Sequence, residues 1–115
     1  MPLTKTQSMT MWVLSVLLAA LFVFVGAGKV LGFPQMVEGW ERLPYPVWLR
    51  YVVGLIELAG GIALLIPKAA LTAGSFLIVI MLGAVFTELF TGGGVLFPLA
   101  VLLLVGGLTA LRAEE

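Results

Sequence analysis

The chain has 115 residues, of which 62% are apolar and only 10% are charged, and its formal net charge is zero. Ordinary soluble domains are about 45–50% apolar and about 25% charged, so this composition indicates one small domain, residues 1–115, whose solvent is lipid. The zero net charge excludes a basic nucleic-acid surface, and the absence of Cys and His excludes disulfides, thiolate metal sites and the usual haem ligand.

The first predicted element covers residues 10–31, of which Met11–Leu31 is apolar apart from Ser15 and Lys29. About 20 residues, each rising about 1.5 Å, are enough to cross a hydrocarbon core of roughly 30 Å. The run is longer than the apolar part of a signal peptide, and no convincing small-residue cleavage site precedes a polar segment. We therefore interpret it as a membrane-spanning helix.

The second element is a short helix within residues 32–47, the extended polar connection of the chain. Val37, Trp40 and Leu43 recur there at helical spacing, which is typical of a helix lying in the membrane interface. Pro44 and Pro46 end this helix and begin the next one. The surrounding aromatic residues are typical of an interfacial belt: Trp40, Tyr45, Trp48 and Tyr51.

Three further spans are predicted over residues 48–66, 69–90 and 96–111. The turn Pro67–Lys68 separates the first two, and the glycine-rich segment Thr91–Gly94 separates the last two. Four spans joined by short turns predict an all-α integral membrane protein. Its architecture is an antiparallel four-helix bundle with a short interfacial helix between helices 1 and 2.

One stripe of the second predicted span is unlike a lipid-facing surface, because it carries charges and glycines at helical spacing. We expect this stripe to face the interior of the bundle, with Gly54, Gly60 and Gly61 allowing neighbouring helices to approach closely. The stripe consists of Arg50, Gly54, Glu57, Gly61, Leu64 and Lys68.

Four charged residues are expected in the outward half of the bundle, and they form the candidate ligand-binding site: Lys29, Arg50, Glu57 and Glu88. An ionisable side chain at membrane depth is a functional-site candidate by default, and Glu57 is the deepest of the four. The alternatives are that Lys29 and Arg50 only extend to the interface and that Glu88 is simply solvated. A purely structural Lys29–Glu57 tie between helices 1 and 2 is the remaining alternative.

Three segments of the predicted spans carry recognisable motifs: Gly26–Leu31, Arg50–Gly61 and Met81–Leu89. Together they resemble the DoxX family of small bacterial membrane proteins. The resemblance implies a four-helix protein of the inner membrane, and its polar positions correspond to Lys29, Glu57 and Glu88. Similar proteins often have His at the third of these positions, so Glu88 departs from the pattern. Family members are linked by name to a thiosulfate:quinone oxidoreductase subunit and to redox-stress complexes.

Three functions are compatible with these residues. The first is an accessory subunit that binds a quinone-like or lipid-like molecule and supports a redox partner protein. The second is a small proton-coupled transporter in which Glu57 exchanges a proton, and the third is a ligand-free membrane scaffold. No catalytic residue and no metal site is assigned, a quinone is the candidate cofactor, and we do not expect the chain to transfer electrons alone. Besides membrane lipid, a second copy of the chain is an expected partner through Gly106, Gly107 and Ala110.

The distribution of basic residues predicts the orientation. Lys5, Lys68 and Arg112 fall on one side of the predicted bundle, and Arg42 and Arg50 fall on the other. This bias of three against two places both termini in the cytoplasm of a cell whose inner membrane the protein spans.

A reporter fused to the C-terminus tests this orientation. We expect activity from a reporter that works only in the cytoplasm, and none from one that works only outside the membrane. The reverse pattern would show that the orientation is wrong.

Overall fold

The computed structural model describes residues 2–114, and all regular secondary structure in that range is helical. The helices are joined by short turns, so successive long helices reverse direction. They are α1 (Lys5–Leu31), α2 (Pro34–Glu41), α3 (Val47–Ala63), α4 (Pro67–Thr91) and α5 (Leu96–Glu114).

Three of these helices, α1, α4 and α5, are long and apolar enough to cross a membrane. The second predicted span, residues 48–66, is too long, because α3 has 17 residues and ends at Ala63. Leu64 to Ile66 form a turn instead, and Ile66 is extended with φ −103° and ψ 111°. Pro67 explains this, since a proline disfavours the helical conformation of the residue before it.

The other helices extend beyond their predicted ends. α1 starts at Lys5 rather than near residue 10, because Thr4 and Gln7 form a capping box in which each side chain accepts a hydrogen bond from the other residue's backbone N–H. The helix ends at Leu31 and is capped by Gly32, which has φ +80° and donates its N–H to the Gly28 carbonyl. Apolar patterning marks the part of a helix that meets lipid, whereas backbone hydrogen bonding continues into the polar flanks.

The four long helices form a ring in which α1 contacts α3 and α5, while α4 contacts α3 and α5. The most extensive of these contacts is between α1 and α3. Many large apolar side chains on the outside are exposed, as expected where lipid is the solvent. The largest apolar side chains that are fully buried among the described residues are Met11, Phe22, Leu64, Leu77, Val105 and Leu108.

Glycines set the distance between α1 and α3. A Cβ atom built on Gly26 would lie 2.6 Å from the Gly54 carbonyl oxygen and 2.5 Å from the Leu58 nitrogen. A Cβ on Gly54 would lie 3.0 Å from the Gly26 carbonyl oxygen. The two backbones are therefore in contact, and neither position has room for a side chain.

The neighbouring glycines of α3 face two different helices. A Cβ on Gly61 would lie 3.1 Å from the Ala19 carbonyl oxygen of α1, and one on Gly60 would lie 3.0 Å from the Leu77 side chain of α4. The interior stripe of α3 is buried from Arg50 to Leu64. The prediction is wrong for Lys68, which is exposed because the chain has already turned into α4.

At the opposite end of the ring, Arg112 lies inside α5 rather than in a polar tail after it, and it is only 4% exposed. Its Nη2 donates to the Ser15 hydroxyl and to the Leu64 carbonyl, each at 3.0 Å. Its guanidinium also lies 4.5 Å from the centre of the Trp12 ring. Arg112 therefore ties α5 to α1 and to the carboxyl end of α3, a role that no local sequence pattern indicates.

Substituting Gly26 by Ala tests the close approach of α1 and α3. The added methyl group meets backbone atoms that cannot rotate away, so we expect a loss of about 1–3 kcal/mol in the free energy of unfolding. Gly83→Ala is the matched control, because Gly83 lies in α4 and nothing lies within 4 Å of a Cβ at that position. We expect it to be neutral or stabilising by about 0.4–1 kcal/mol. Thermal unfolding in detergent measures both variants, and equal stabilities would contradict the packing described.

Candidate functional site

The centre of the site is an ion pair between the last turn of α1 and the middle of α3. Lys29 Nζ lies 2.5 Å from Glu57 Oε1. The Glu57 side chain is 1% exposed and that of Lys29 is 20% exposed. A Cβ on Gly54 would lie 2.8 Å from the Lys29 Cβ, so the glycine is what allows the lysine to pass along α3 to its partner.

Arg50 supports this pair from the first turn of α3. Its Nε donates to the Lys29 backbone carbonyl at 3.1 Å, and the residue is 7% exposed. Its guanidinium also lies 4.8 Å from the centre of the Tyr51 ring. Carbonyls in the last turn of a helix lack partners within the helix, so Arg50 satisfies one of them and holds the backbone of Lys29 in place.

Glu88 does not join this contact. It is half-buried near the end of α4, and it forms no side-chain hydrogen bond or ion pair with any residue from 2 to 114. The structure thus brings Lys29, Arg50 and Glu57 together and leaves Glu88 as a separate carboxylate. The predicted cluster of four charges is therefore only partly formed. Glu88 lines the same cavities as Lys29 but makes no hydrogen bond or ion pair with the other three residues.

Two cavities meet at this position. The larger has a volume of about 500 Å³ and lies between α3 and α4, under α2. The smaller, about 190 Å³, lies inside the ring and is lined by Glu57 and by Phe97 and Pro98 of α5. Ligand pockets of drug-sized molecules have volumes of about 300–1,000 Å³, a range that includes the larger cavity. The residues that line both cavities are Lys29, Met81, Ala84 and Glu88.

The segment between α2 and α3 is attached above the larger cavity by side-chain hydrogen bonds. The hydroxyl groups of Tyr45 and Thr87 are 2.8 Å apart, which links the segment to α4. Trp40 Nε1 donates to the Pro46 carbonyl at 3.1 Å. Sequence reasoning identified Trp40 and Tyr45 only as interfacial aromatic residues and did not find Thr87. The sequence did contain a signal for Thr87, because a hydroxyl group on an otherwise apolar helix commonly forms a hydrogen bond to a neighbouring element.

The electrostatic character of the larger cavity changes along its length. Its charged lining residues are Lys29, Arg42 and Glu88, and all of them lie at the end near α2. The remaining wall toward the middle of α3 and α4 is aliphatic, and includes Val53 and Ile80. The arrangement can hold a molecule with one polar and one apolar end.

Long apolar helices arranged around a buried Lys–Glu pair define a helical membrane protein. The model of the DoxX-like family matches residues 13–108, and the chain belongs to this family. An uncharacterized protein of Bacillus subtilis (strain 168), YdgD, is 37% identical over 78 residues, which are 62% of this chain and 68% of that protein. No solved structure matches the chain. The resemblance inferred from the sequence is therefore confirmed.

Paired substitutions of Lys29 and Glu57 measure the contribution of the ion pair. Glu57→Leu leaves a largely buried ammonium without its partner, so we expect the free energy of unfolding to fall by about 3–5 kcal/mol. Adding Lys29→Met should restore most of that loss, because an apolar pair of similar size carries no desolvation cost. Thermal unfolding in detergent measures both variants. A single variant as stable as the native chain would show that the pair does not stabilise the fold.

Proposed function

We propose that this protein is an accessory subunit of the inner membrane that binds a quinone-like or lipid-like molecule in the larger cavity and supports a redox partner protein. The observation that carries this proposal is the cavity of about 500 Å³, which has charged groups at one end and an aliphatic wall beyond them. Pockets that bind small molecules have mainly apolar walls with a few convergent polar groups.

We further propose that α3 crosses the membrane with α1, α4 and α5, which makes the ring an antiparallel four-helix bundle. Its 17 residues span roughly 26 Å, close to the hydrocarbon thickness, and it contacts α1 and α4 along its buried stripe. α2 has no buried residue and covers one end of the cavity, which supports an interfacial position. We propose cytoplasmic termini, although Arg112 is a buried tie and contributes less to the positive bias than its sequence position indicates.

The residues of the cavity suit a ring that carries carbonyl oxygens. Lys29 has three donor hydrogens and donates to one carboxylate oxygen of Glu57, so it retains donors for a ligand oxygen. Glu88 lines the same cavity without another side-chain partner among residues 2–114, so its carboxyl oxygens can accept a hydrogen bond from a hydroxyl group of the reduced ring. A bound quinone would supply the two-electron chemistry. The side chains of Lys29 and Glu88 would orient its ring and exchange protons with its oxygen atoms.

A ligand-free scaffold is the second candidate, and the Lys29–Glu57 pair favours it. The two charges neutralise each other within the helix contact, so the pair needs no ligand to be stable. The binding experiment below separates the two candidates, because a scaffold has no saturable site.

Tryptophan fluorescence offers a direct binding measurement, because Trp40 lines the larger cavity and quinones quench indole emission. Replacing Trp12 and Trp48 by Phe leaves Trp40 as the reporter of the three tryptophans. In lipid nanodiscs, we expect saturable quenching by decylubiquinone. Glu88→Gln removes a charged acceptor, and a hydrogen bond to a charged group is worth about 1.5–3 kcal/mol, so the affinity for decylubiquinol, whose hydroxyl groups donate, should fall about tenfold or more. Decylubiquinone offers only acceptors to Glu88, so its affinity should not fall.

The matched control is Glu38→Gln, the same chemical change at an exposed position of α2 that does not line the cavity. It should leave the affinity unchanged. Quenching that rises without saturation in the native chain would contradict the proposed site and favour the scaffold.

A further inference from the structure

The larger cavity follows the length of α4 from its polar end toward the middle of the helix. Glu88 and Thr87 line it near the carboxyl end of α4, and Val79 lines it at the other end. Val79 lies about 18 Å from Thr91 along the helix axis, at about 1.5 Å per residue. The cavity therefore extends from the charged groups to about the middle of the hydrocarbon core.

The deep part of this cavity has an open side. Val79 lines the cavity and is nevertheless 65% exposed. Gly83, one helical turn further on, also lines the cavity and is exposed, and nothing lies within 4 Å of a Cβ built on it. Leu49 and Val53 of α3 form the facing wall. The gap between α3 and α4 at this depth thus opens sideways, toward lipid.

The polar end of the cavity, in contrast, is covered by α2. Met36 and Trp40 of α2 line it, and the hydrogen bond between Tyr45 and Thr87 attaches the following segment to α4. A ligand that came from water would have to pass this cover. A ligand that came from the bilayer would meet only the exposed side at Val79 and Gly83.

We propose that the ligand is an amphiphile with a hydrocarbon tail, which it keeps in the opening between α3 and α4 at Val79 and Gly83. Its polar head lies beside Arg42 and Glu88. This inference rests on the proposed function and adds the tail and the lateral route. A quinone with an isoprenoid-like chain and a membrane phospholipid share this chemistry, and the experiment distinguishes them.

Filling the opening tests the inference. Gly83→Leu places a side chain in the gap without contacting protein atoms near its Cβ. Ala100→Leu is the matched control on α5, because Ala100 is exposed and lines neither cavity. Both variants add a leucine side chain at an exposed helical position, so a difference in ligand binding between them reports on the cavity.

The probes are decylubiquinone and the tail-less ubiquinone-0, titrated against Trp40 fluorescence in nanodiscs. We expect Gly83→Leu to weaken decylubiquinone binding at least tenfold and to change ubiquinone-0 binding less than twofold. Ala100→Leu should change neither. Unchanged decylubiquinone binding in Gly83→Leu, or an equal loss of both probes, would overturn the assignment of the opening to a tail.

Native mass spectrometry in mild detergent provides the phospholipid arm. If decylubiquinone does not saturate but a phospholipid stays bound to the native chain and to Ala100→Leu, and is lost from Gly83→Leu, the amphiphile is a lipid. The absence of any saturable probe and of any retained lipid would overturn the proposed function together with this inference. If ubiquinone-0 binds the native chain as tightly as decylubiquinone, the proposed function stands, and the inference that the opening holds a hydrocarbon tail is wrong.

Discussion

The contact between α1 and α3 is the constraint on which the rest of the structure depends. Gly26 and Gly54 bring the two backbones together, and this proximity lets Lys29 reach Glu57. Neither charge is tolerable alone at this depth, because removing a carboxylate or an ammonium from water costs several kcal/mol. Close packing and ion pairing therefore depend on each other. The glycines bring the two charged side chains within reach, and the buried charges can form a pair only where the helices lie this close.

The contacts between neighbouring helices of the ring differ in extent. The contact between α3 and α4 is less extensive than that between α1 and α3, and the larger cavity lies there, between the amino-terminal half of α3 and the carboxyl-terminal half of α4. Arg112 closes the opposite end through Ser15 and the Leu64 carbonyl. One end of the molecule is thus secured by buried hydrogen bonds, whereas the other holds the space and the charged groups that a ligand needs.

Much of the fold was predictable, and the errors have definite physical causes. Apolar runs located all four long helices, because a helix surrounded by lipid is apolar along its whole length. The error at residues 64–66 arose because hydropathy does not register the turn that Pro67 imposes. The early start of α1 was readable from Thr4 and Gln7, since a capping box is a local pattern. The burial of Arg112 was not, since its acceptors lie on α1 and at the end of α3.

The sequence by itself determined the solvent, the family, the helical class and the buried stripe of α3 that carries Glu57. These properties follow from composition, from short motifs and from helical period, all of which are local. Only the tertiary structure decided that Lys29 pairs with Glu57 while Glu88 stands apart, and that a cavity opens beside Gly83. Such facts depend on distances between helices that are far apart in the chain, and these distances are set by how every side chain in the ring packs at once.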